Sequence, residues 1–242
     1  MYSANASIRP NSSKNTALII HRSLFVSLSL RVFMINLLAM IIDPAATAPR
    51  DLYRHLISLV TPRPIAWVST ISPRGIPNLA PFSFFNGIGA NPPSVLFCPV
   101  NHRDGSKKDT LINVEAIGDF VVNIVPYSLA VAMNETSAEV PYEVNEFERA
   151  KLTAEPAKHV KSPRVKESPV HLECVLHQVI PVGQGALGAN VVIGRIVWIE
   201  IADSVLDPKG QIDPRKLDTI GRMGGSLYAR TTDLFDLPRP TV

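Results

Sequence analysis

Hydrophobic and polar residues change period along the chain. In "RDLYRHLISLV" (50–60) apolar side chains fall at Leu52, Leu56, Leu59 and Val60, the spacing of one helical face, and Pro62 stops the run. From Ile65 the pattern turns to short β-rich runs: Ile65 to Ile71, Leu79 to Phe85 and Ser94 to Val100. The first two are joined by the turn "SPRGIPN", with Pro73 and Gly75 supplying its chemistry, and the last two are separated by "NGIGANPP". "NHRDGSKKDTLINVEAIG" reads as a loop opening a helix, with Ser106 as N-cap, Gly118 just past the end, and Leu111, Ile112, Val114 and Ile117 as the buried face. "DFVVNIV" is a strand. Pro126 opens a second helix over "PYSLAVAMNETSAEV", and "EVNEFERAKL" predicts another. Val170 to Val182 and Val191 to Ala202 are two long strands joined by the hairpin loop "GQGALGAN".

Many short strands joined by turns, with few helices and no internal repeat, predict a mainly β fold: an antiparallel barrel or sandwich with peripheral helices. The 242 residues suit one domain, and 46% hydrophobic residues are enough for a sizeable core. A net charge of +3 gives no case for nucleic acid. Cys98 and Cys174 are far apart, form no CxxC pair, and read as buried free thiols.

The first 39 residues differ from the rest. They are basic and rich in Ser and Asn, and no acidic residue precedes Asp43. The apolar run from Leu24 to Ile42 is interrupted by Arg31 and Asn36, which argues against a membrane span. Three readings stay open: a start at Met40 that leaves 1–39 outside the mature protein, an organelle transit peptide, and an anchor. The expectation is a leader over 1–39, a domain over 40–242, and a cytoplasmic protein, or an organellar one if the leader is a genuine transit peptide.

Several motifs compete with plainer readings. "GQGALG" matches G-x-G-x-x-G, but the dinucleotide motif needs a helix next, and "VVIGRIVWIEI" reads as a strand. "GSKKDT" puts Ser106, Lys107, Lys108 and Thr110 at a helix start, where free N–H groups favour an anion; an ordinary capped helix is the alternative. His171 and His177, without a third ligand, read as solvent-facing strand residues rather than a metal site. The basic loop from Lys158 to Lys166 lacks interleaved aromatics and reads as solvated. N-x-S/T at Asn5, Asn11 and Asn134 carries little weight. One stretch stands out: from Gly75 to Val100 there is no charged residue, although Asn78, Ser83 and Asn86 lie among the apolar ones.

Taken in order, "TPRPIAWVSTISPRGIPNLAPFSFFNGIGANPPSVLFCPV", "KKDTLINVEAIGDFVVNIV", "NVVIGRIVWIEI" and "IGRMGGSLYART" resemble the flavin reductase-like family with the FMN-binding split barrel, in its flavoredoxin-like branch. The resemblance runs from about Met40 to the end. It implies an antiparallel FMN-binding split β-barrel of Greek-key type, usually a homodimer. It implies that Arg63, Ile65, Trp67, Ser69 and Thr70, with Ala80, Pro81, Phe82, Ser83 and Phe84, line the isoalloxazine and ribityl chain. Asn101, Ser106, Lys108, Asp109 and Thr110 match the phosphate end, and Arg222 and Tyr228 match a segment that closes over the flavin. An uncharged wall suits a flat, mostly apolar ring edged with polar atoms, and the phosphate is met separately at the helix start. The implied activity is oxidoreductase chemistry: electrons pass from NADH or NADPH through FMN to a flavin or other acceptor. No protein acid or base, and no metal, is required. Many short reductases of the family carry "GDH" where this chain has "GAN" (188–190), so an FMN-binding electron carrier serving a protein partner is the alternative.

Overall fold

The computed structural model describes residues 39–241; the leader over 1–38, Asn5 and Asn11 included, lies outside the described residues. The chain divides after Ala48. In the short first unit a turn is closed by Asp43, whose carboxylate accepts from the Ala45 amide at 2.9 Å.

The unit from Pro49 onward is built on one seven-stranded antiparallel sheet. Its strands are β1 (Ala66–Ile71), β2 (Pro77–Phe82), β3 (Phe85–Ala90), β4 (Pro93–Phe97) and β5 (Asp119–Asn123), then, after the two-residue strands β6 (Ala154–Glu155) and β7 (Arg164–Val165), β8 (Val170–Val182) and β9 (Ala189–Ile201). A small hairpin, β10 (Ile220–Arg222) with β11 (Tyr228–Arg230), ends the fold. Helices are α1 (Pro49–Leu59), α2 (Asp109–Ile117), α3 (Ala130–Glu135), α4 (Glu146–Arg149) and α5 (Pro214–Leu217).

The sheet order is β2-β1-β5-β8-β9-β4-β3, so β2 and β3 stand at opposite ends. Yet Phe82 and Phe85 are three residues apart, a reach of about 11 Å at most. The two ends must therefore meet, and the sheet curls into a barrel left unpaired between β2 and β3. The interior agrees. Phe82 of β2 lies 5.1 Å from Phe97 of β4, which lies 5.2 Å from Phe120 of β5. Around these rings pack Ala66, Val68, Leu111, Val114, Val122, Cys174 and Val192. Burial pushes the Cys174 thiol pKa well up and keeps it an inert packing group.

β1 is buried on both faces. Ala66 and Val68 face the barrel interior, while Ile65 and Trp67 join Leu79, Met133, Phe147, Val165 and Ile220 in a second core outside it. This explains an apolar run without clean alternation.

Several expectations need correction. "NGIGANPP" is no mere separator: most of it is strand β3, and Leu79 to Phe85 is broken at Ser83 and Phe84. Because β3 is exposed from Asn86 to Ala90, no buried face marked it in the sequence. Helix α2 starts at Asp109 with Lys108 as an N-cap that makes no side-chain cap bond. Ser106 instead turns its hydroxyl to Asp104 at 2.6 Å. Ile112 is exposed, and Thr110 and Asn113 are buried in the face expected to be apolar. The two later helices shrink to α3 and α4, six and four residues. Gly118 does take the left-handed turn, at φ 84°. His171 is buried, with Nε2 2.8 Å from the Val165 carbonyl; His177 is exposed. Cys98 is only partly buried. The basic loop is not simply solvated: Lys158 and His159 donate backbone N–H to buried Glu173, and Lys161 and Ser162 donate to buried Asp119.

Candidate functional site

The entry to α2 is brought against β2. Thr110 is buried, and its hydroxyl donates to Asn78 Oδ1 at 3.3 Å. Asn78 and the Leu79 amide donate to Glu146 Oε2 at 3.4 and 3.1 Å. Beside this row, Asn113 donates to Thr70 Oγ1 at 3.1 Å and accepts from the Tyr142 hydroxyl at 2.6 Å. These bonds fix α2, β2 and α4 against one another, because a broken member would leave a buried polar atom unpaired.

Above the row opens a cleft. One wall is uncharged, made of Ala80, Pro81 and Phe82; the other is the start of α2, with Lys108, Asp109 and Thr110. The loop after α3 supplies Thr136, Ser137, Ala138, Glu139 and Val140, and His102, Asn78 and Glu146 complete the lining. Positive charge sits at one place: Lys108 Nζ is 3.1 Å from His102 Nδ1 and 3.0 Å from Glu139 Oε1. An ammonium only donates, so His102 Nδ1 accepts and its ring proton lies on Nε2. Glu139 is held below the usual carboxylate range by its bond to Lys108. Asp109 and Glu146 are pushed the other way, both chiefly by burial.

A second cluster lies where β2 gives way to β3. Arg63 is buried, and its guanidinium donates to the carbonyls of Ile57, Val60 and Met223 and to Ser83 Oγ. It also lies 5.8 Å from the centre of the Phe84 ring. Its backbone pairs with Arg222 through two hydrogen bonds of 2.9 and 2.8 Å. Arg222 in turn lies 4.4 Å over the Tyr228 ring. Arg63 thus ties the end of α1, the barrel split and the closing hairpin to one point.

Of the residues singled out in the sequence, the cleft gathers Ala80, Pro81, Phe82, Lys108, Asp109 and Thr110. Arg63, Ser83, Phe84, Arg222 and Tyr228 form the second cluster. Trp67, Ser69 and Thr70 have enclosed side chains: Trp67 Nε1 donates to Thr136 Oγ1 at 2.9 Å, and Ser69 donates to the Pro163 carbonyl. Ile65 belongs to the outer core. Asn101 donates to the Gly185 carbonyl at 3.1 Å and accepts from Asn190 at 2.8 Å, and Ser106 is exposed beside Asp104.

Sequence reasoning missed His102, Glu139 and Glu146, and singled out Asn78 in the uncharged stretch without placing it in the site. His102 adjoins Asn101 and was within reach. Glu146 sits in "NEFER", part of a predicted helix to which no site role was given, and only the fold turns it inward. Among the described residues no group of three His, Cys, Asp or Glu side chains is placed to hold a metal ion, and no helix is long and apolar enough to cross a membrane.

Comparison with known proteins sets these features in a family. Residues 58–220 match the flavin reductase like domain. A relative from Aquifex aeolicus (strain VF5) is 44% identical over 179 residues, covering 74% of this chain and 89% of its own. Nitrilotriacetate monooxygenase component B from Bacillus cereus superposes with a TM-score of 0.78 at 36% identity, over 82% of this chain and 98% of that one. A structure from Shewanella frigidimarina NCIMB 400, described as having a split barrel domain, gives a TM-score of 0.70 at 27% identity, over 81% of this chain and 96% of that one. The barrel left open between β2 and β3 and the matched domain agree, and the chain belongs to the flavin reductase-like family of split-barrel flavoproteins.

Proposed function

We propose that the cleft between β2 and α2 holds FMN, and that the protein is an oxidoreductase drawing electrons from NADH or NADPH and passing them to a flavin or another acceptor. The observation that carries this reading is the division of the cleft: an uncharged wall at Ala80–Phe82, and one cation, Lys108, beside His102 at the other end. An apolar ring joined to an anion has the same division. The residues fit the group: Phe82 and Pro81 supply apolar surface, Lys108 and His102 meet the phosphate, and the first free N–H groups of α2 add to the anion seat. Thr110 is turned inward to Asn78, so it acts by holding the helix start in place. Bound FMN would supply the hydride and electron chemistry; the chain supplies orientation, an apolar wall and counter-charge. Likeness to a component of a monooxygenase supports an acceptor outside this chain.

One observation favours the second reading, an electron carrier without a nicotinamide site. Asn190 is buried and donates to Asn101 Oδ1 at 2.8 Å and to the Pro99 carbonyl at 3.3 Å, so no imidazole and no free side chain stands at that place in the hairpin. The test is anaerobic addition of NADH or NADPH to the FMN-loaded protein, followed by absorbance. Rapid loss of the oxidised-flavin band supports the reductase. Loss only with dithionite supports the carrier. Failure to take up FMN at all removes both.

A further inference from the structure

The strongest cation of the cleft is already occupied by an anion of the chain itself. Glu139 Oε1 lies 3.0 Å from Lys108 Nζ and 3.5 Å from His102 Nδ1. The Glu139 side chain is 72% exposed, whereas Lys108 is 30% exposed. The carboxylate therefore reaches in from solvent to a cation that belongs to the cleft wall.

The segment that carries it is anchored at both ends and exposed in the middle. Thr136 is buried and bonded to Trp67. Tyr142 is bonded to Asn113, and Glu146 is buried under β2. Ser137, Ala138 and Glu139 are exposed, and none lies in a helix or strand. Lys108 is placed differently: it directly precedes α2, whose next residues are locked to β1 and β2 through Asn113 and Thr110. When the pair separates, Glu139 is the partner that moves.

We propose that Glu139 is an internal counter-anion that holds the phosphate seat when FMN is away, so that FMN arrives and leaves by exchanging one anion for another at Lys108. The inference rests on the FMN reading above and adds to it the property that flavin exchanges rather than staying locked in. Without Glu139 an empty seat would leave the ammonium beside an imidazole with no carboxylate in ion-pair contact among the described residues, which makes release costly. With it, the departing phosphate is replaced at once, and an arriving phosphate must first displace a carboxylate. Riboflavin carries no phosphate and competes for nothing at this place.

The experiment is a set of titrations and stopped-flow dissociation measurements with FMN and riboflavin. It uses the full chain, Glu139→Gln, Lys108→Ala and the double variant, each checked by thermal melting. Glutamine keeps the shape and removes the charge. An exposed ion pair is modest, so Glu139→Gln should tighten FMN binding by about two- to five-fold at low salt. Its FMN dissociation should slow by a similar factor, its riboflavin affinity should stay put, and its effect should vanish in the Lys108→Ala background. If Lys108→Ala weakens FMN selectively but Glu139→Gln leaves FMN unchanged or weaker, the counter-anion proposal is overturned while the phosphate seat stands. If Lys108→Ala affects FMN and riboflavin alike, the seat itself is misplaced and both readings fall.

Discussion

The Thr110 hydroxyl donates to Asn78 Oδ1 across 3.3 Å, joining the start of α2 to β2 beneath the cleft. The link separates two roles that the sequence ran together in "KKDT". Lys108 points its charge into the cleft; Thr110 spends its hydroxyl on the frame. Lys108→Ala removes a charge-assisted bond and should weaken FMN binding by about ten- to a hundred-fold, with riboflavin nearly unaffected. Thr110→Val leaves Asn78 Oδ1 unpaired and should cost about 1–2 kcal/mol of stability. Its loss of flavin affinity should be smaller and shared by FMN and riboflavin, because a shifted helix disturbs both. Chemical denaturation beside the two titrations checks this. A Thr110→Val protein of full stability that loses FMN alone would return the hydroxyl to the phosphate.

Gly194 of β9 faces the Phe120 ring inside the barrel, and a Cβ there would overlap the ring and crowd Cys174. Phe120 is fully buried and packed edge-on to Phe97, so it has little room to retreat. Gly194→Ala is therefore expected to destabilise by about 1–3 kcal/mol, the usual range for overpacking. Adding Phe120→Leu should recover part of that loss, since the smaller side chain makes the room. Two additive losses in denaturant titrations would show that the contact is not what excludes a side chain at 194.

Burial raises the Glu146 carboxyl above 4.5, its ordinary value. Between 4.5 and the raised folded value the native state holds a proton that the unfolded state has lost. Stability from this group is therefore present below 4.5 and declines as pH rises through the folded value. Glutamine can still accept from the Leu79 amide but does not titrate. The melting temperature of Glu146→Gln relative to the natural chain should rise as pH increases from about 4 toward neutrality. Acids held low by partners, such as Glu139, slope the other way, but they are common to both proteins and cancel in the difference. A difference independent of pH would show that Glu146 ionises normally.

How much of this was legible differs from element to element. The long strands β8 and β9 and the turn at Gly75 follow from period and turn chemistry, and the structure has them nearly where the pattern puts them. Strand β3 was hidden because an exposed, glycine-bearing edge strand buries nothing and so leaves no periodicity. The cleft was half legible. Lys108 and the uncharged run ending at Phe82 could be read locally, since each is continuous in sequence. Glu139 and Glu146 could not, because Glu139 meets Lys108 from 31 residues away and Glu146 of α4 meets Leu79 of β2 from 67, and no local rule sees either contact. Trp67 and Ser69 stand in the neighbouring run, Ile65 to Ile71, yet strand alternation sends Trp67 to the outer core and Ser69 to the Pro163 carbonyl, a direction that apolar content alone does not reveal.

The same edge strand bears on assembly. From Asn86 to Ala90, "NGIGA", β3 is exposed, carries no charge and pairs only with β4. Ile88 is 49% exposed. Soluble proteins usually guard such an edge with lysine, proline within the strand, or a covering element, and none of these lies between Asn86 and Ala90. A second copy of the chain is the expected cover, and a two-fold pair is the commonest closed arrangement. Ile88→Lys puts a charge on that edge without touching the barrel interior. Sedimentation velocity at micromolar concentration should find the natural chain as a dimer and Ile88→Lys shifted toward monomer, with melting temperature little changed at equal flavin saturation. A flavin-loaded monomer of the natural chain would remove the dimer. A dimer unaffected by the lysine would move the interface away from β3.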